Sequence, residues 1–191
     1  MSPSCFFYYC TVWTVFWSIK EFVDTAKKTF YVFPYISILI GGKDMKIRTY
    51  NGWILEIDVE KTNKFYKTDI EVCDCLYCCN YAEAVKSADA SVTSFFAELG
   101  IIPEKPAEVS EFAMENGELH HYIGFYHIVG KVLKGNTCTM SDWQDHHTYQ
   151  LGPFEFCLAQ EAEQVQANFP EPILQLNFEV FLPWVLEEYP D

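Results

Sequence analysis

From Met45 onward the apolar residues shift from a period of two to one of nearly four, then back to two. Trp53, Leu55, Ile57 and Val59 alternate with Ile54, Glu56, Asp58 and Glu60, the pattern of a strand with one face in a core. Asn51-Gly52 supplies the positive φ values of a two-residue turn, so Lys46 to Tyr50 and Trp53 to Glu60 are predicted to pair as a hairpin. Residues 61–68 read as a polar connection, with Phe65 and Tyr66 pinned on the core.

The period then lengthens. Tyr81, Ala84, Val85 and Ala88 make one helical stripe, with Asn80 placed to cap it. Val92, Phe95, Phe96 and Leu99 repeat the stripe behind Ser91, and Gly100 suits the position that ends a helix. Pro103 and Pro106 keep the following chain out of helix.

Alternation returns after Glu108. Val109 to Met114, Asn116-Gly117 and Leu119 to Leu133 predict a longer hairpin, with Gly124 and Gly130 marking bulges or close contacts in the return strand. Lys134 to Gln144 reads as loop, and a strand is expected around Phe154 to Leu158. Ala159 to Asn168 is expected to make a short helical turn, closed by Pro170 and Pro172. Ile173 to Leu182 is a final strand, and Pro183-Trp184-Val185-Leu186 docks the C-terminus. Strands, two helices and more strands predict an α+β fold: a mainly antiparallel sheet built from hairpins, with a two-helix insertion, in a single domain over 45–191.

Residues 1–44 differ in composition. They hold twelve aromatic residues, including Trp13 and Trp17, and their apolar runs fall short of the roughly 20 residues of a spanning helix. Gly41-Gly42-Lys43-Asp44 precedes Met45. Two glycine codons can read as a purine-rich ribosome-binding sequence, and two further codons give a bacterial spacing to a start at Met45. The expectation is that 1–44 is translated upstream sequence; the competing reading is an apolar appendage.

Charge narrows the function classes. The chain carries −14, and because 1–44 holds four Lys against three Asp/Glu, 45–191 carries −15. That disfavours nucleic acid and anionic membranes, which both need a Lys/Arg surface, and it suits a basic protein partner. No Walker loop, dinucleotide fingerprint, nucleophile elbow or His-Glu-x-x-His is present, and no carboxylate pair stands out, so an enzyme is not the favoured reading.

One stretch does suggest chemistry. Glu71-Val-Cys-Asp-Cys-Leu-Tyr-Cys-Cys-Asn80 gathers four of the eight cysteines into seven positions. The N-terminus lacks the basic stretch of a signal peptide, so the thiols are read as reduced and the chain as cytoplasmic. Cys75-x-x-Cys78 has zinc-knuckle spacing and Cys73 adds a third thiolate. A zinc site needs a fourth ligand, either Cys79 or a residue of the β region, where His120, His121, His127, His146, His147, Cys138 and Cys157 lie. His127 is the first choice, with Cys79 and His121 behind it. His146-His147, beside Asp142 and Asp145, reads as solvated loop. Two other readings use the same cysteines: a redox pair before a helix, against which the flanks argue, and plain packing of Cys as a small apolar residue.

From Met45 the chain resembles a family of small uncharacterised bacterial proteins. The matching stretches are Asn51-Gly-Trp53, Cys73-Asp-Cys-Leu-Tyr-Cys78 with Asn80-Tyr81, Phe95-Phe-Ala-Glu-Leu-Gly-Ile101 with Pro103, Gly124-Phe-Tyr-His-Ile-Val-Gly130, and Phe169-Pro-Glu-Pro-Ile-Leu-Gln175 with Pro183-Trp184. The resemblance covers nearly all of 45–191 and implies no activity. It marks Cys73, Cys75, Cys78 and His127 as family-like polar positions and Cys79 as a departure. Two functions follow as expectations: a small acidic binding module with a cysteine-based structural zinc site, or a metal-free inhibitor or immunity-type protein that masks a basic partner.

Overall fold

The near-continuous apolar run from Tyr122 to Gly130 folds as the middle of a long strand, buried on both faces over most of its length. The computed structural model describes residues 45–190 except 69, 113, 115–118, 140–142, 144–146 and 160, all belonging to one compact unit, Gly42–Asp191. Residues 1–44, the Asn116-Gly117 turn, and His146 with Asp142 and Asp145 lie outside the described residues. In chain order the elements are β1 (Lys46–Tyr50), β2 (Trp53–Ile57), α1 (Val59–Tyr66), α2 (Leu76–Ala84), a 3-10 turn (Val85–Ser87), α3 (Ala90–Leu99), β3 (Glu108–Phe112), β4 (His120–Lys134), β5 (Thr148–Leu151), β6 (Phe154–Ala159) and β7 (Ile173–Leu182). The seven-stranded sheet runs β1-β2-β4-β7-β6-β5, and β3 also pairs with β4. All named pairs are antiparallel, so the fold is the α+β, hairpin-built class that the hydrophobic pattern predicts. Among the described residues no helix is long and apolar enough to cross a membrane.

The first departure from expectation is at Asp58. The strand stops at Ile57, and the supposed polar connection is helix α1. Asp58 caps it, its carboxylate accepting from the Lys61 amide at 2.9 Å and meeting Lys61 Nζ at 2.8 Å. Burial pushes this carboxyl up, and the Lys61 contacts outweigh that, leaving it below the usual aspartate range. Thr62, Phe65 and Tyr66 form the buried stripe of α1.

Helix α1 fills a gap in the sheet. β4 pairs with β3 through Phe125 and with β2 from Gly130, and α1 serves the stretch between. The Tyr66 hydroxyl donates to the His127 carbonyl and accepts from the His127 amide, each at 3.1 Å. Thr62 Oγ1 accepts from the Val129 amide at 3.0 Å, and the Asp58 amide donates to the Val129 carbonyl at 2.7 Å. Side chains thereby satisfy backbone groups that a strand would otherwise pair.

Period two assigns β4 to two faces. Tyr122, Tyr126 and Ile128 face the helices. There Tyr81 stacks on Phe178 with ring centroids 5.2 Å apart, and Phe96 meets both Tyr126 and Phe156. Tyr81 donates to the Tyr126 hydroxyl, which donates to the Pro103 carbonyl. The glycines on this face are close contacts: a Cβ on Gly124 would lie 2.3 Å from the Glu108 carbonyl, and one on Gly130 would lie 2.6 Å from that of Glu56.

The other face is polar at its centre. Gln175 donates to Asn177 Oδ1 at 2.7 Å, Asn177 donates to Cys138 Sγ at 3.5 Å, and the Glu163 amide donates to Gln175 Oε1 at 2.7 Å. Cys138, held beside β6 by its amide bond to the Leu158 carbonyl at 2.8 Å, is disulfide-bonded to Cys157. The expectation that every thiol is reduced therefore fails for this pair, which the register of β6 and the following bridge brings together. The predicted helical turn near 159–168 is also absent: described residues there form bends and turns, and Gln164 and Asn168 take positive φ, which a helix cannot accommodate.

Candidate metal centre

Helix α2 is anchored from within rather than capped by Asn80. That residue lies mid-helix and fully buried, donating to the Tyr122 hydroxyl at 2.8 Å and the Pro183 carbonyl at 3.2 Å, and accepting from the Val185 amide at 2.7 Å. With Tyr81 it locks the helix to β4, β7 and the chain after β7. Trp184 completes the C-terminal docking against Tyr77 and His120, with centroids at 5.9 and 5.0 Å.

The cysteines occupy the N-terminal end of this helix. Cys75 is the N-cap residue, and Cys78 and Cys79 lie in the first turns rather than ahead of the helix. The Sγ atoms of Cys73, Cys75 and Cys78 all lie within 4.8 Å of one another. Thiolates at about 2.3 Å around a tetrahedral ion sit about 3.8 Å apart, so a modest contraction brings the three onto one metal. Cys73 and Cys75 are exposed, as are all residues from Glu71 to Cys75, which removes the packing explanation for those two. Cys78 is partly buried, with Sγ 3.9 Å from the Val109 carbonyl of β3.

The thiols are electrostatically unequal. The Cys78 amide holds the Cys75 thiol below its ordinary range, against the upward push of burial, with help from the Cys73 and Cys78 thiols and the Tyr77 amide. Burial pushes the Cys78 thiol strongly up, reinforced by its two sulfur neighbours. Metal binding must therefore displace a proton from Cys78.

The structure does not bring His127, the expected fourth ligand, to the three cysteines. His127 projects to the opposite face of β4, where its Nε2 donates to the Glu163 carbonyl at 3.0 Å and its ring packs against Phe125 and Phe169. Burial lowers its pKa, partly offset by the Glu163 carbonyl and Gln175. His121 shares that face, stacked on Phe181 with its Nε2 2.7 Å from Glu179 Oε1. The sheet itself separates both from the thiols. Cys79 turns back, donating to the Asp74 carbonyl at 3.4 Å. Cys138 and Cys157 are spent on each other.

A groove of about 640 Å³ adjoins the three cysteines, floored by β3 and walled by the coil before α2. Glu71, Asp74, Glu104, Glu108 and Glu111 line it, and among the described residues no Lys or Arg does. Glu111 Oε1 also holds His120 Nδ1 at 2.7 Å. Sequence reasoning missed this pair, although the antiparallel pairing of β3 with β4 sets Glu111 opposite Tyr122. His120 and Glu111 follow on one face from that register and period two. No protein-family model, curated protein or solved structure matches the chain.

Proposed function

We propose that this protein is a small acidic binding module in which Cys73, Cys75 and Cys78 hold a zinc ion that clamps the coil before α2 onto the helix. The observation that carries the reading is the gathering of three sulfurs, two of them solvent-exposed, at the end of a helix fixed from the other side. Thiolate donors favour zinc over hard cations, and the coil, exposed from Glu71 to Cys75, gains order from the bonds. Elemental analysis of the full chain should find stoichiometric zinc, and chelation should lower Tm. Protein that purifies without metal and melts identically with zinc or chelator would end this reading.

The groove supports a second reading: a metal-free acidic protein that masks a basic partner through the carboxylates. It requires that metal-stripped protein bind a basic partner as tightly as loaded protein does, with strong weakening by salt.

A further inference from the structure

Three thiolates leave a tetrahedral ion one ligand short, and among the described residues the nitrogen and sulfur donors are otherwise engaged or remote. Cys79 donates to the Asp74 carbonyl, His120 neither lines the groove nor belongs to the group of ligand atoms lying within 4.8 Å of one another, His121 and His127 lie across the sheet, and His147 adjoins the far-edge strand β5. Cys73, Cys75 and Cys78 themselves line the groove, so an ion held by them borders it. At about 640 Å³ the groove is large enough for a few side chains of another molecule.

Charge selects the occupant. Three thiolates on a divalent ion leave a net negative centre, and the groove adds five carboxylates without a Lys or Arg among the described residues. A fourth thiolate or a carboxylate from outside would enter against that field. A neutral imidazole adds no charge and completes the three-sulfur, one-nitrogen set common to structural zinc sites. Lys and Arg flanking that imidazole would meet Glu104 and Glu108 in the groove lining. We infer that the groove is a docking site for a basic segment of a partner protein that inserts one His side chain as the fourth metal ligand. The inference rests on the zinc reading and adds to it the partner's chemistry: binding requires both metal and a basic, His-bearing sequence.

The test uses the full chain loaded with cobalt(II), whose visible bands report thiolate ligation and the fourth ligand. Two probes are titrated: a short Lys/Arg-rich peptide with one central His, and the same peptide with Ala in its place. The expected result is binding of the His peptide at least about tenfold tighter than the Ala peptide. It should come with a change in the cobalt bands, and the tenfold advantage should vanish in chelator-stripped protein. Glu104→Gln with Glu108→Gln should weaken both peptides while preserving the band change at saturating His peptide. Cobalt bound by the thiolates, with the two peptides binding alike or with unchanged bands, overturns the inference and leaves the zinc site standing. A chain that shows no thiolate–cobalt bands at all overturns both.

Discussion

The two faces of β4 solve the problem of burial in different ways. The helix face packs Tyr81, Phe96, Phe156 and Phe178 into an aromatic layer whose few hydroxyls are paired with one another or with carbonyls. The opposite face buries Gln175, Asn177 and His127, and closes over them with irregular chain held by a disulfide and a line of hydrogen bonds. Apolar packing tolerates exposure at its margin, and the free thiols stand at the rim of the helix layer. Buried polar groups tolerate no loss of partner, and the polar face places its two cysteines inside, joined and inaccessible. The same residue type is thus a covalent staple on one face and an accessible cluster of thiols on the other.

The largest expected effect is on the aromatic layer. Phe178 has zero exposure and touches Tyr81, Tyr126 and Phe154, so Phe178→Ala should cost about 4 kcal/mol by urea denaturation. Next is the staple. The disulfide spans 19 residues, and replacing Cys138 and Cys157 together by Ala should cost about 3 kcal/mol. If that double variant loses more than Phe178→Ala, the polar face rather than the aromatic layer is the weaker part of the fold, and the contrast reverses.

Acid should also act on the polar face. Because the folded pKa of His127 is depressed, the unfolded chain binds the extra proton first. Stability from this residue is fully present above the ordinary histidine value near 6.5, falls as pH drops below it, and levels off below the folded pKa. His127→Gln should flatten that segment of the stability–pH curve. Asp58 adds a second loss at lower pH: its depressed carboxyl contributes above the ordinary aspartate value near 3.8, a contribution lost as pH falls through the folded pKa. An equally steep slope between pH 7 and 5 in His127→Gln would show that another group carries it.

How much of this was legible depended on whether the signal was local. Asn51-Gly52 specified its hairpin, and the alternation of Ile173 to Leu182 specified β7. The α+β class followed from the order of such segments. Helix α1 was hidden because Glu60, Lys61 and Lys64 face water and Asn63 is polar, leaving only Thr62, Phe65 and Tyr66 to show a period. Its start at Asp58 looked like one more outward strand position. At the site, the cluster of Cys73, Cys75 and Cys78 was readable because it is contiguous. The misplacement of His127 had a visible cause: proximity was inferred from composition, whereas which face a strand residue takes depends on which of its parities meets the helices. The pairing of Cys138 with Cys157 depended on strand register, which no local pattern near either residue announces.

The smallest expected change in stability is the most informative about function. Cys73 is exposed on the coil ahead of the helix, so Cys73→Ser in metal-stripped protein should change stability by less than about 0.5 kcal/mol. Zinc should then separate the proteins. At free zinc of 100 times Kd the natural chain gains about 2.7 kcal/mol, because the ion binds only the folded site, while a variant with two thiolates gains far less. Lowering the pH should erode that gain, since Cys78, its thiol raised by burial and its sulfur neighbours, must release a proton for metal to bind. The helix face would then differ from the polar face in kind: its cysteines add nothing to the fold alone and stabilise it only through what they bind. A serine variant that destabilises the metal-stripped protein as much as loss of the disulfide would erase that difference and make the cluster part of the core.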